Sequence, residues 1–477
     1  MNKAWPLLAA CVAGSGCMVG PDFHRPAAPT DTKYTVAESP NGNERVPKFV
    51  EGADVGARWW RMLRCPALDS IVDRALAANP GLEAARATLR QNQDNLGAGY
   101  GVFFPQMDAR AGVSRQHYNP APGKLPSSTF NLFTLSGTVS YALDVWGGER
   151  RHVEALGAAV DAQKHALAGA YVSLTANVIN TVIAEAAYRA EIDATRTTLA
   201  LLSQQVRIAN AQATAGTAPF ANVLSLQSEV ASTEATLPVL EQKVDQAADL
   251  LAALTGATPA AFAANLPSLW DLNTPDTLPL TLPSKLVRQR PDVLVAEAEL
   301  HAANAEIGVA TAAMLPNVTL SATYGVNNSS PGDLFASGSP FWSVAAGLTQ
   351  PVFHGGTLYY QRRAAIEARN VAAAQYRETV LGAFEQVADT LRGLQHDGEA
   401  LAAQIEAVET SERAARLVQA NYQAGMGTYL QVLVADTQYL RAQLGYIEAA
   451  AQRLQDAVAL YMALGGGWWN SPEATHG

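Results

Sequence analysis

The segment NYQAGMGTYLQVLVADT, residues 421–437, interrupts a long run of helix-forming residues with two glycines, Gly425 and Gly427. Each glycine inside a helix costs about 1 kcal/mol relative to alanine, so a helix is expected to end here. A similar segment, NAQATAGTAPFANVLSLQ, occupies residues 210–227, with Gly216 at the matching place. The chain therefore makes the same break twice, and each break is predicted to be a turn between two long helices.

The duplication extends over most of the chain. The stretch NPGLEAARATLRQNQDNLGAGYGVFFPQ, residues 79–106, resembles RPDVLVAEAELHAANAEIGVATAAMLPN, residues 290–317. Pro80 aligns with Pro291 and Pro105 with Pro316, so the spacing between the two prolines is the same in both copies. A repeat of this length is too long for a solenoid, and it predicts two similar units related by pseudo-symmetry.

Each repeat is predicted to contain two strands, at about 105–118 and 130–145 in the first and about 316–327 and 341–353 in the second. Apolar and small or polar residues alternate along them, as Met107, Ala109, Ala111 and Val113 do with their neighbours. Strands of about ten residues or more suit a membrane-spanning barrel, and the alternative is a soluble sandwich with one solvated face. Four strands cannot enclose a channel, so several chains must share one barrel, and three chains would supply about twelve strands.

Long helices are predicted at 148–215 and 356–424, where Ala, Leu, Gln, Glu and Arg dominate. About 68 helical residues span on the order of 100 Å. The returning helices, 219–255 and 428–464, carry apolar residues in alternating steps of three and four, which is typical of antiparallel coiled coils. Pro238 predicts a local kink in the first of them. An ordinary intracellular helical bundle is the alternative, but it leaves the strand pairs and the N-terminus unexplained.

The N-terminal segment MNKAWPLLAACVAGSGC has the pattern of an export signal, with a lysine, an apolar stretch and small residues before Cys17. We expect residues 1–16 to be a lipoprotein-type signal peptide and Cys17 to be the acylated first residue; a plain signal peptide cut nearby is the alternative. After export, Cys65 would be a lone thiol used for packing. No later stretch has the roughly 20 uninterrupted apolar residues of a membrane helix, so any crossing of the membrane would use strands.

Composition argues against several classes of function. The net charge is −10 and no block of Lys or Arg occurs, so nucleic acid is not an expected partner. The three cysteines lack CxxC spacing, and the eight histidines are scattered without an HExxH motif. Neither GxxxxGK[ST] nor GxSxG occurs. We therefore predict that the chain is not an enzyme, with no catalytic residues, no metal site and no cofactor.

Several motifs resemble the TolC-like outer-membrane efflux proteins, in particular their lipoprotein branch that serves resistance-nodulation-division pumps. They are CMVGPDFHRP at 17–26, WWRMLRCPALDSIVDRALAANP at 59–80, the paired repeats, QPVFHGG at 350–356 and LYMALGGGWW at 460–469. The resemblance implies an α+β membrane protein, a homotrimer whose four strands per chain form a twelve-stranded β-barrel. A periplasmic α-helical coiled-coil barrel would continue this β-barrel.

The resemblance also implies a function and a location. The chain would be a passive exit duct for drugs or other small molecules, lipid-anchored in the outer membrane, in contact with its lipid and extending into the periplasm. A periplasmic membrane-fusion adaptor and an inner-membrane resistance-nodulation-division pump would open its tip. The alternative is the exit duct of a type I protein secretion system, and a lipoprotein that only scaffolds the envelope is a third reading.

The implied organisation places the signal peptide at 1–16, an N-terminal periplasmic segment at 17–65, repeat 1 at 66–265, an equatorial linker at 266–283, repeat 2 at 284–465 and a C-terminal tail at 466–477.

The helix turns become the periplasmic tip in this comparison. The residues that would form the turns and contact the adaptor are Gly216, Thr217, Gly425, Met426 and Gly427. The gate would comprise Asn222, Tyr422, Leu430, Gln431 and Val434.

Relatives carry pore-facing aspartates where this chain has Gln431 and Val434, so we expect a constriction of Val434 and Leu430 packing with Gln431 amides instead of an acidic ring. Tyr422 is expected either to make a neutral hydrogen bond with Asn222 or to be a groove-packing aromatic.

Overall fold

The computed structural model describes residues 18–31, 33–35, 48–119, 127–274 and 277–470. The signal peptide predicted at 1–16 and the predicted lipidation residue Cys17 lie outside the described residues. The strands of the structure are β1 (Lys48–Glu51), β2 (Gln106–Tyr118), β3 (Ser128–Leu143), β4 (Thr277–Leu280), β5 (Asn317–Asn328) and β6 (Pro340–Thr349). Its α-helices are α1 (Pro66–Ala78), α2 (Pro80–Gly99), α3 (Gly148–Thr214), α4 (Phe220–Glu234), α5 (Leu237–Leu254), α6 (Pro283–Leu286), α7 (Pro291–Ala312), α8 (Thr357–Gln423) and α9 (Tyr429–Ala463). Short 3-10 helices lie at Trp59–Leu63, Tyr100–Phe103, Pro259–Ala261, Leu269–Asp271, Pro331–Asp333 and Trp468–Asn470.

The two repeats have the same order of elements. A helix, two strands, a 67-residue helix and a returning helical segment follow one another from α2 to α5 and again from α7 to α9. This order confirms the predicted internal duplication. The domain boundaries assigned from the sequence stay predictions.

Contacts divide the chain into two compact units, and each unit draws residues from both repeats. The strand unit contains the described residues within 1–26, 88–163 and 295–377. The helical unit contains those within 27–87, 164–294 and 378–477.

The strand unit is built on one antiparallel sheet with the order β2-β3-β5-β6. Its register brings the polar positions of all four strands onto one face. One row of paired positions across the four strands, for example, is Asp108, Thr138, Thr323 and Ser343. The next row on the other face is Met107, Val139, Ala322 and Val344. The alternation in the sequence therefore predicts the two faces of this sheet, since side chains of a strand point to opposite sides in turn.

Large side chains on the apolar face of the sheet are exposed. Trp342 and Val344 expose 73% and 74% of their surface. A water-soluble sheet instead packs its apolar face against a core. This sheet therefore presents an apolar surface outward, as a strand wall in contact with lipid does.

An N-terminal strap, residues 18–25, is bound to the helices of the strand unit. The buried Arg151 of α3 donates to the backbone oxygen of Val19 (3.2 Å) and to Asp22 (2.6 Å). Asn304 donates to the oxygen of Pro21 at 2.8 Å, and Phe23 stacks on His301 with ring centroids 4.3 Å apart. The amide of Val19 donates to the oxygen of Trp146 at 3.0 Å, so the strap begins beside the end of β3.

A small parallel sheet holds the N-terminal segment and the linker together in the helical unit. Strand β1 pairs with β4 in the register Lys48 to Thr277. The buried Trp59 stacks on Tyr461 of α9 with centroids 5.3 Å apart, and Trp468 donates to the oxygen of Gln289 at 2.8 Å. Neither short strand was predicted, because four residues are too few to show a periodicity.

The first returning segment is divided into α4 and α5, with the break at Ala235 and Thr236. Pro238 occupies the first turn of α5. Proline lacks an N–H group and its ring clashes with the carbonyl four residues earlier, which is residue 234, the last of α4. Ala235 and Thr236 keep right-handed helical backbone angles, so the interruption is local, as predicted for a kink at this proline.

Helix α3 contains a stretch that is long and apolar enough to cross a bilayer, the one such helix among the described residues, and half of that stretch is buried within the fold. Buried core helices of soluble proteins pass the same test, so this helix alone is weak evidence for a membrane helix. Cys65 is buried and is not in a disulfide, as expected for a packing residue.

Candidate functional site

Gly216 ends α3 in a left-handed conformation, with φ of +70°. The amide of Thr217 donates to the oxygen of Gln212 (2.9 Å), and that of Gly216 donates to the oxygen of Ala213 (3.1 Å). This pair of bonds is the Schellman motif, in which glycine is favoured because a Cβ would be strained at positive φ.

Gly425 ends α8 in the same way, with φ of +76°. The amide of Met426 donates to the oxygen of Asn421 (2.8 Å), and that of Gly425 donates to the oxygen of Tyr422 (3.0 Å). The two glycines that the sequence singled out are therefore equivalent helix ends in the two repeats.

The second turn continues into a capped helix. The hydroxyl of Thr428 accepts from the amide of Gln431 at 3.4 Å, and the side-chain oxygen of Gln431 accepts from the amide of Thr428 at 2.9 Å. This reciprocal arrangement is a capping box, which stabilises the start of α9. Gln431, predicted as a gate residue, therefore also has a structural role, which the Thr428-x-x-Gln431 spacing of a capping box could have revealed.

Apolar side chains hold the two turns side by side in the helical unit. Ala209 of α3 and Val223 and Leu226 of α4 form a buried cluster. Tyr429 and Leu433 of α9 pack against it. The return helices of both repeats thus share one core next to the turns.

Tyr422 donates its hydroxyl to the side-chain oxygen of Gln212 at 2.7 Å. The prediction of a bond between Tyr422 and Asn222 is therefore corrected, because the partner among the described residues is Gln212 and no bond to Asn222 occurs there. The expectation of a neutral hydrogen bond is retained with a different partner. The half-buried Asn222 lies in the first turn of α4, where its backbone N–H donates to the backbone oxygen of Pro219 at 3.1 Å.

Asp436 is a buried carboxyl group that the sequence did not reveal as part of this site. Gln205 of α3, also buried, donates to it. Burial raises the pKa of Asp436, and the hydrogen bond from Gln205 opposes this shift. The signal that could have found it is its spacing, since it lies four residues after the buried Val432 on the apolar stripe of α9.

Exposed apolar side chains surround the turns. Met426, Leu430 and Val434 are exposed, and so are Phe220 and Leu224 at the start of α4. Leu430 and Val434 are four residues apart and so lie on one side of α9. This is a different side from that of Val432 and Asp436, which are buried.

A pair of carboxyl groups lies farther from the turns, between α8 and α9 of repeat 2. Asp397 of α8 lies beside Asp456 of α9, and burial together with this neighbour raises the pKa of Asp397 to about 7, with Arg453 opposing the shift. Gln452 donates to Asp456 at 3.0 Å. Gly393 makes room for the pair, because a Cβ there would lie 2.7 Å from an oxygen of Asp456.

Metal-binding groups of three or more His, Cys, Asp or Glu side chains are absent from the part of the chain that the structure describes. The features of this site are instead mechanical: two helix ends, a shared apolar core, two hydrogen bonds across the helices and an exposed apolar surface. Such an arrangement can hold helices together or release them.

Comparison with known proteins places the chain in a family. A model of the outer membrane efflux protein family matches residues 71–257 and 282–466, one segment in each repeat. The pyoverdine export outer membrane protein OpmQ of Pseudomonas aeruginosa is 31% identical over 417 residues, which cover 86% of this chain and 87% of that protein. The solvent efflux pump outer membrane protein SrpC of Pseudomonas putida is 28% identical over 472 residues, which cover 98% of each.

Among solved structures, the outer-membrane channel OprN is similar with a TM-score of 0.87 and 25% identity. The similarity covers 95% of this chain and all of that one. Since the family model matches well over half of the chain, the chain belongs to the outer membrane efflux protein family.

Proposed function

We propose that three copies of this chain form the outer-membrane channel of a tripartite efflux system, a passive exit duct for small molecules. The observation that carries this proposal is the sheet of the strand unit, whose register places small and polar side chains on one face and apolar side chains, several of them large and exposed, on the other. A wall of this kind separates lipid on one side from a water-filled lumen on the other.

The open edges of the sheet support assembly. Strands β2 and β6 each have one neighbour, which leaves a row of backbone groups without a strand partner at both edges. In a membrane such edges are prohibitively costly, because lipid offers no hydrogen bonds. Pairing β6 of one copy with β2 of the next removes every edge, and three copies close a barrel of about twelve strands.

The helix turns are the proposed gate and the proposed contact with an adaptor. Gly216, Thr217, Gly425, Met426 and Gly427 form the turns, and the exposed Leu430 and Val434 suit a hydrophobic constriction. The bond from Tyr422 to Gln212 would hold the closed arrangement. A periplasmic adaptor and an inner-membrane resistance-nodulation-division pump would shift the helices and supply the energy, since the chain is proposed to carry no catalytic site of its own.

The strap supports the proposed lipid anchor at Cys17. Residue 18 follows this cysteine, and Met18 lies against Gly147, where a Cβ would be 2.6 Å from its side chain. Gly147 is next to the end of β3, so the chain enters the described region at the edge of the proposed membrane wall. An acyl chain attached just before it would be within reach of the lipid.

A strain that lacks this gene tests the function. We expect it to accumulate dyes and to become sensitive to detergents and antibiotics, with recovery on re-expression of the chain. A periplasmic adaptor and a resistance-nodulation-division pump should co-purify with the tagged protein. Unchanged accumulation would contradict the efflux role, and co-purification of an ABC-type exporter with loss of a secreted protein would favour the type I secretion role.

A further inference from the structure

The polar face of the sheet carries two charged side chains among its described residues, Asp108 and Arg110 of β2. The remaining side chains in the middle rows of this face are small, namely Ser, Thr, Gly and Ala, with the exception of Phe341. An arginine on such a surface extends well beyond its neighbours, whereas an aspartate stays close to the backbone. The cationic group is therefore the one that reaches farthest from this wall.

Arg110 is exposed, and within the described residues no hydrogen bond or ion pair holds its guanidinium group. Its row continues through Ser136 and Gly325 to Phe341. The Phe341 ring lies over Gly325, since a Cβ added there would be 2.9 Å from the ring. The side chains beside Arg110 therefore project little from the sheet, which leaves space for a solute to approach the guanidinium.

Assembly would not neutralise this charge. In the proposed barrel β2 pairs with β6 of the next copy, and the side chains of β6 on the polar face are Phe341, Ser343, Ala345, Gly347 and Thr349. None of these is a carboxylate. The three Arg110 side chains of a trimer would therefore stay available to solutes in the lumen.

We infer that Arg110 forms an anion-binding belt inside the strand-lined part of the lumen, which favours small solutes with carboxylate or phosphate groups. A guanidinium presents a planar set of N–H donors that matches such groups in pairs. This inference rests on the proposed channel and adds a preference among the solutes that pass through it. Asp108, two residues away on the same strand and face, carries the opposite charge on a shorter side chain that stays nearer the wall.

Block of ionic current by citrate tests the belt. The purified protein is inserted in planar lipid bilayers, and citrate is added on the side of the loops that join β2 to β3 and β5 to β6. Arg110→Gln should raise the half-blocking citrate concentration about tenfold or more, because the charge-assisted hydrogen bonds between the guanidinium and the citrate carboxylates are lost. Arg110→Lys should keep most of the block.

Arg115→Gln is the matched control. Arg115 lies on the same strand but on the opposite face, in the row with Asn131. The Arg115→Gln variant removes the same charge and should leave the citrate block unchanged. Equal block in wild type and Arg110→Gln, or equal loss in both variants, would overturn the belt.

The reversal potential in a KCl gradient gives a second reading. Arg110→Gln should shift it toward cation preference and Asp108→Asn toward anion preference, and an absence of both shifts would also overturn the belt. Wild-type protein that forms no channels would instead overturn the proposed function, and the belt with it.

Discussion

The hydroxyl of Tyr422 in the last turn of α8 donates to the side-chain oxygen of Gln212 in the last turn of α3, at 2.7 Å. This bond joins the two helices that end at Gly425 and Gly216. Both partners are uncharged, so the link is insensitive to salt, unlike an ion pair. A neutral hydrogen bond of this kind contributes about 0.5–1.5 kcal/mol, so docking of the proposed adaptor need supply only a small free energy to break it.

Tyr422→Phe should weaken the closed state. The variant keeps the ring and loses the bond, so the fraction of time that single channels spend in conducting states should rise several-fold, in line with about 1 kcal/mol. Tyr429→Phe is the control, because that ring packs on the core beside the turns and no hydrogen bond of its hydroxyl occurs among the described residues. Equal gating in Tyr422→Phe and wild type would refute the role of this bond.

Gly425→Ala should destabilise the helical unit. The added Cβ meets nothing within 4 Å, so its cost comes from the positive φ alone, about 1–2 kcal/mol. Gly382→Ala on the same helix, also with open space around its Cβ, should stabilise by about 0.5–1 kcal/mol. Thermal denaturation of both variants measures the difference, and a shift of the same sign in the two would contradict the turn geometry.

Gln431→Glu adds a charge at the proposed gate without removing the cap. A glutamate at this position of a capping box still accepts from the amide of Thr428, so the start of α9 is kept. Three added carboxylates should increase cation selectivity and sensitivity to block by multivalent cations in single-channel recordings. Gln361→Glu, exposed on α8 in the strand unit, is the control. Unchanged selectivity would show that residue 431 does not face the lumen.

Stability of the contact between α8 and α9 should depend on pH through Asp397. Its pKa is about 7 in the folded chain and about 3.8 for an aspartate side chain in water, so the folded state binds more protons between these values. Stability from this pair is thus fully present below about pH 4 and is lost as the pH rises to about 7.

Asp397→Asn should flatten this part of the pH profile and raise the melting temperature at pH 8 relative to wild type. Asp389→Asn, exposed on the same helix, should leave the profile as it is. A wild-type melting temperature that keeps rising between pH 4 and 7, with the same pH dependence in Asp397→Asn, would contradict the raised pKa of Asp397.

The sequence predicted the parts of the fold that follow from local periodicity. The alternation along β2, β3, β5 and β6 foretold the two faces of the sheet, and the glycines in two helix-forming stretches foretold the turns. The strap and the pairing of β1 with β4 were not foreseen, because both depend on contacts between residues far apart in the chain. Arg151, which holds the strap, looks like one more charged residue at the start of a helix until its burial is known.

The site was predicted only in outline for a related reason. The glycine turns carry a backbone requirement that can be read from the residue type. The partner of Tyr422 depends on which helix lies across from it. In the structure this partner is Gln212 instead of Asn222. Asp436 and Asp397 resembled solvated helix charges, and their burial arises from helix packing that one sequence does not reveal.

Spin labels along β6 test the membrane wall most directly. In the reconstituted protein, labels at Trp342 and Val344 should collide with oxygen dissolved in the lipid, and labels at Ser343 and Ala345 should collide with a water-soluble nickel reagent. The two accessibilities should therefore alternate with a period of two residues. Equal access to the nickel reagent at all four positions would contradict a wall between lipid and lumen, and with it the proposed channel.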